Sequence, residues 1–152
     1  MANHLRTQIR DAAVTRLTGL TTTGTRCTGG RPKSRPVQES ELPCLLVYTA
    51  ETEAEPVSGT MGTRRMDDAA QLIIHGFARG TGDVDATLDT IEKEVRAALA
   101  TAPTFGALAK DSYFTGSVKE SDPEAQQPTW EIVITFTVAY STRETAPDVA
   151  LA

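Results

Sequence analysis

Between Asn3 and Leu20 the apolar residues Leu5, Ile9, Ala12, Ala13, Leu17 and Leu20 recur at mostly helical steps, with Arg6, Arg10 and Arg16 mostly off that stripe. Such spacing stacks them on one face of an α-helix. Gly19 and the threonines of LTTTGT end it, because glycine terminates helices and β-branched residues favour extended chain. A short strand through Arg26 and Cys27 is expected next. LPCLLVYT, Leu42 to Thr49, reads as a buried strand, apolar and bounded by Pro43 and the acidic ETEAE run. A further β pattern follows in AAQLIIHGFAR, Ala69 to Arg79. Val84, Leu88, Ile91, Val95 and Leu99 then form one continuous helical stripe that stops near Pro103. FGALAKD reads as a turn or short helix, DSYFTGSVKE as a strand and SDPEAQQP as a polar connection. In PTWEIVITFTVAYST, Trp130, Ile132, Ile134, Phe136, Val138 and Tyr140 alternate with Glu131, Val133, Thr135, Thr137 and Ala139. Burying those six side chains would contribute on the order of 10 kcal/mol as an upper bound, which marks a central core strand.

Two connections lack any apolar period. GGRPKSRPVQESE, residues 29–41, carries glycine, proline and alternating charge and reads as an exposed loop. Residues 51–65, ETEAEPVSGTMGTRR, change from acidic to basic and read as a polar loop or an extended hairpin tip. RETAPDVALA, within 142–152, is expected to be a loose or partner-docked tail. The order is helix, three strands, helix, two strands. Two amphipathic helices and a sheet with one strongly apolar face predict an α+β two-layer sandwich: a mainly antiparallel or mixed sheet of about five strands with both helices on the same face. The other face stays available to water or to another subunit.

Composition narrows the class. At 152 residues the chain has the length of one ordinary domain, so 1–152 is expected to fold as a unit that removes roughly 70% of the unfolded surface from water. Hydrophobic content of 39% and charged content of 23% suit a soluble globular protein. The apolar runs fall well short of the roughly 18 residues a membrane span requires. MANHLRTQIRDAA is charged where a secretory signal has an apolar core, so intracellular synthesis is expected. A net charge of -5 argues against general nucleic-acid affinity, which depends on concentrated basic surface.

Candidate chemistry is sparse. Cys27 and Cys44 read as free structural thiols, and with His4 and His75 as the only histidines there is no CxxC or HExxH set, so neither metal nor cofactor is expected. GLTTTGTR, Gly19 to Arg26, has the glycine spacing of a phosphate-binding P-loop, but a helix precedes it and a strand follows. That order turns carbonyls and the negative helix end toward the loop, and Thr25 and Arg26 replace the Lys-Ser/Thr pair. GFARGTGD has the right order of strand and helix. Asp85 replaces its third glycine, however, and Asp83 and Asp85 put negative charge where a phosphate would sit, so capping by Thr81 or Asp83 accounts for it. His75 stands alone in its strand without a partner nucleophile. No pair of carboxylates or nucleophile with base stands out, and no enzyme is expected.

RLTGLTTTGTR at the end of the first helix, the proline-bearing loop, ESELPCLLVYT, RGTGDVDATLDTIEKEVRAAL and FTVAYSTRETAP together resemble the tail terminator (tail completion) proteins of long-tailed, lambda-like bacteriophages. The likeness spans nearly the whole chain. Cys27 followed by Gly29-Gly30 departs from it, since an apolar residue and a smoother first hairpin belong there. The resemblance implies a structural virion protein with the two-layer fold, assembled in the host cytoplasm as a homo-oligomeric ring, a hexamer by expectation, on the head-proximal end of the tail tube. It would stop tube polymerisation and form the joining surface to the head connector. The implied partners are further copies of itself, tail tube protein and the connector or neck protein, with DNA only passing through the lumen and no membrane or small-molecule substrate. Rings need unlike patches that meet head to tail. Arg26, Arg31, Lys33 and Arg35 form one basic cluster, and Glu51, Glu53 and Glu55 with Arg64 and Arg65 form the contrasting charged stretch, so these are the expected subunit or tube contacts. A head-to-tail connector is the neighbouring reading. A small ligand-binding regulatory module, which can share the architecture, is a second class.

Overall fold

The first helix, α1, runs over Leu5–Leu17 and buries Leu5, Ile9, Ala13 and Leu17 at every fourth residue. It stops where Thr18 turns extended and Gly19 adopts a φ of 96°. The computed structural model describes residues 3–30, 37–60, 64–80, 82–122 and 129–151. After α1 come β1 (Cys27–Gly29), β2 (Cys44–Ser58), β3 (Arg65–Arg79), α2 (Val84–Ala100), β4 (Asp111–Asp122) and β5 (Thr129–Arg143), in the order read from the sequence. The strands form one mixed sheet ordered β1-β2-β3-β5-β4. All neighbours are antiparallel except β1 and β2.

One face of the sheet carries both helices. Leu45 and Val47 of β2, Leu72 and Ile74 of β3, and Ile132, Ile134 and Phe136 of β5 meet the α1 stripe and Leu88, Ile91, Val95 and Leu99 of α2 in a single apolar cluster. The period-two burial along β3 and β5 places the alternate residues on the opposite, helix-free face. Lys119 of the edge strand β4 reaches Asp85 and Asp89 of α2, each at 2.7 Å, and Arg96 of α2 stacks over the Phe114 ring at 4.0 Å. These contacts tie the last strand position to the second helix.

Several expectations need correction. Cys27, Thr28 and Gly29 pair in parallel with Leu45, Leu46 and Val47, so the first two strands form no hairpin. The Gly29-Gly30 departure has a local reason: a Cβ on Gly29 would lie 2.9 Å from Val14 Cγ2, and Gly30 has a φ of 67°, a conformation that favours glycine. Gly29 lets α1 lie directly against the edge strand. Of the two readings of 51–65, the extended hairpin tip holds: β2 continues to Ser58 and β3 begins at Arg65, giving a long hairpin arm. Trp130 sits at the start of β5 and is 36% exposed, while the other five residues of its alternating set are buried. The segment after β5 lies on its own domain: the amide of Leu5 donates to the Pro147 carbonyl at 3.0 Å, and that of Leu151 to the Ser141 carbonyl at 2.8 Å.

The two thiols are free and lie on different faces. Cys27 packs against the helix-side core, while Cys44 pairs in register with Phe77 on the other side. Burial pushes the Cys27 thiol up to about 11, with the nearby Cys44 adding to the shift. The sign follows directly: above pH 9 the unfolded thiol ionises while the folded one keeps its proton, so this contribution to stability is full below about 9 and falls away as pH rises towards 11. Cys27→Ala is therefore expected to flatten the alkaline side of the stability profile between those values, measured by urea unfolding at stepped pH. An unchanged slope would count against a buried, protonated Cys27.

Candidate assembly surface

Both glycine loops are occupied by the protein's own groups. The Gly19 amide donates to the Gly24 carbonyl at 2.8 Å, and the Gly24 amide to the Leu20 carbonyl at 2.7 Å, so the first loop closes on itself. The Thr22 amide donates to Glu94 at 3.3 Å, which puts a carboxylate where a phosphate would be needed. In the second loop Asp83 caps α2 by accepting from the Ala86 amide at 3.1 Å. Thr81, the other expected cap, lies outside the described residues. His75 lies on the helix-free face with Nδ1 3.2 Å from Glu131 Oε2, stacked on Phe77 and edge-on to Tyr48. This is a packed ring with an acidic neighbour. Among the described residues, no group of three or more His, Cys, Asp or Glu side chains could hold a metal.

The charged residues singled out in the sequence separate into two places. Arg26 is exposed just before β1, with Nε donating to the Pro43 carbonyl at 2.7 Å. Arg31, Lys33 and Arg35 lie outside the described residues. Glu53 and Glu55 are exposed far along β2, in register with Ala69 and Asp67, and Glu51 belongs to the same strand. At about 3.3 Å per residue, Glu53 stands roughly 30 Å from the Arg26 end of the strand. Arg64 and Arg65 join the glutamates at the arm, where the Glu144 amide donates to the Arg64 carbonyl at 2.9 Å. The structure thus gathers Glu53, Glu55, Arg64 and Arg65 and holds Arg26 apart from them.

The arm contains a network that the sequence reading missed. Asp67 accepts from the Ser141 hydroxyl and sits 3.4 Å from Lys110 and 3.6 Å from Arg65. The Ser141 hydrogen bond, followed by Lys110, holds the Asp67 carboxyl below its ordinary value. Asp68, the next residue, points to the other face. There burial pushes its carboxyl up, although Thr142 Oγ1 donates to it at 3.2 Å. The available signal was the period-two pattern of β3, which extends backwards through Met66-Asp67-Asp68.

The helix-free face is crossed by ordered rows. Leu46, His75, Val133 and Val118 stand side by side across four strands, and so do Tyr48, Ile73, Thr135 and Gly116. Leu46 is buried, but Val118 and Tyr113 on β4 are 58% and 54% exposed. Two helices on one face of a mixed sheet and a charged hairpin arm define a two-layer α+β domain. Residues 4–140 match the family of phage minor tail protein U, and the chain belongs to that family. It is accordingly a structural phage tail protein. Among solved structures it is similar to a chain of the virion of a native gene transfer agent particle, at 14% identity over 91% of this chain and 92% of that one, with a TM-score of 0.42. No curated protein matches it.

Proposed function

We propose that this protein forms a ring on the head-proximal end of a phage tail tube, ends tube polymerisation there and offers the joining surface for the head connector. The observation that carries this reading is its membership of a tail-protein family over residues 4–140, on a fold that holds Arg26 apart from the charged hairpin arm. Unlike patches on one subunit suit head-to-tail contacts, which close into rings. The arm with Glu51, Glu53 and Glu55 serves the subunit contact, and the basic cluster of the sequence, Arg26, Arg31, Lys33 and Arg35, serves the contact with tube or connector. An overall charge of -5 lets DNA pass through the lumen without adhering.

Native mass spectrometry with negative-stain imaging, on the protein alone and mixed with tail tube protein, tests the reading. Rings, or caps on one end of each tube, are the expected result. Particles that bind the connector but ignore tubes would move the protein to the neck, and a monomer indifferent to both would end the proposal. The triple reversal of Arg31, Lys33 and Arg35 to Glu is expected to abolish capping while leaving the circular dichroism spectrum unchanged. Normal capping by that variant would remove the basic cluster from the contact.

A further inference from the structure

The ends of the sheet differ from each other and are both open. On one side, β1 covers only Leu45, Leu46 and Val47 of the fifteen residues of β2, so the outer side of β2 from Tyr48 onward has no strand beside it among the described residues. On the other side, β4 pairs among the described residues with β5 alone, with eleven of its twelve residues in register and a bulge between Phe114 and Gly116. Edge strands carry rows of unpaired amides and carbonyls, and proteins usually blunt them with lysines, prolines or cover. The lysine of β4, Lys119, is drawn to the helix side by Asp85 and Asp89, and the strand has no proline. Tyr113 and Val118 are left largely exposed. Among the described residues, nothing pairs with the outer side of this strand.

A second copy of the same chain supplies a matching one. Since β2, β3, β5 and β4 alternate in direction, β2 and β4 run opposite ways. Copies joined edge to edge with their sheet faces continuous therefore bring β4 against β2 of the next copy in antiparallel pairing, the more stable arrangement. The levels agree as well. Register across the sheet places Tyr48 in the row of Gly116 and Glu53 in the row of Asp111, so the uncovered part of β2 stands level with the first half of β4. Charge bears on the same junction: Lys110, 39% exposed beside its 3.4 Å contact with Asp67, precedes Asp111 at that level, and the arm brings Glu53 and Glu55 on the helix-free face.

We infer that the ring closes by strand addition, the outer edge of β4 in one copy pairing antiparallel with the uncovered β2 edge of the next. The contact is heterologous, so it repeats until the ring shuts. This rests on the ring reading above and names its subunit junction. Two double variants test it by native mass spectrometry: Tyr113→Lys with Val118→Lys blocks the β4 edge, and Glu53→Lys with Glu55→Lys blocks the arm. Each is expected to be monomeric alone. Their mixture is expected to give a one-to-one dimer and nothing larger, because one intact β4 edge and one intact arm remain. Hydrogen exchange of the wild type gives a second readout, with β4 amides slower in the ring than in diluted monomer. Wild-type rings accompanied by variants that still form rings, by a mixture without dimer, or by β4 amides indifferent to assembly would overturn strand addition and leave the ring standing. A wild type that never self-associates would end both.

Discussion

Ile134→Ala is expected to lower the unfolding free energy by roughly 2–5 kcal/mol, the range for removing a buried aliphatic side chain down to its Cβ. Ile134 is 0% exposed, lies on the interior strand β5 and pairs in register with Ile74 of β3, also 0% exposed. The loss has two parts: the transfer energy of the missing carbons and the cavity they leave beneath two helices. Relaxation into that cavity is hindered because the neighbours belong to β3, β5 and both helices at once. A folded domain has only about 5–15 kcal/mol in total, so a loss near the middle of the range would lower Tm by about 10 °C. Urea unfolding measures it, with the m-value checked for constancy. A loss below about 1 kcal/mol would mean that the helices do not rest on the sheet as described.

Gly76→Val should be nearly as damaging although it adds apolar carbon. A Cβ at Gly76 would lie 2.9 Å from Ile91 Cγ2 and 3.0 Å from Ile132 Cγ2, both closer than carbon atoms pack. Ile91 belongs to α2, so the glycine sets how near that helix comes to β3. Valine normally favours a strand, but that preference spans only about 1 kcal/mol, whereas overpacking costs roughly 1–3 kcal/mol and sometimes more. The clash wins. Gly76→Ala should cost less than Gly76→Val, and Gly116→Ala on the edge strand, where an added Cβ meets nothing within 4 Å, should be close to neutral. Equal stabilities for the valine variants at positions 76 and 116 would refute the packing account.

Gly76 also shows where the sequence stops being informative. AAQLIIHGFAR announces a strand by its alternation, but no local pattern tells that its glycine lies under a helix that begins eight residues later. Buried faces are legible because they impose a period, which is why both helices and the apolar face of β5 could be read residue by residue. The far half of β2 has no such period. Ala54 to Ser58 are exposed at every position, so nothing selects apolar residues for one face, and ETEAEPVS reads like loop while it is strand. Parallel pairing of β1 was hidden for a related reason: three residues are too few to show direction, and what holds them, the close approach of Gly29 to α1, is a tertiary contact. The charged candidates were visible as residue types. Their separation along an extended strand was not, because β2 runs on past Thr49 through residues with no buried face to give them a period.

Strand order has a consequence for synthesis. β4 emerges from the ribosome before β5, but within the chain's own sheet its neighbour is β5. Until β5 follows, the nascent chain can hold β2 and β3 as a hairpin under α1, while Leu72, Ile74 and Phe114 wait without the β5 residues that pair with them. The sheet is therefore completed in one late event, when the fifth strand inserts between the third and fourth. A chain stalled before Thr129 would expose those residues to other stalled chains, so truncation there should yield aggregates rather than a smaller folded domain.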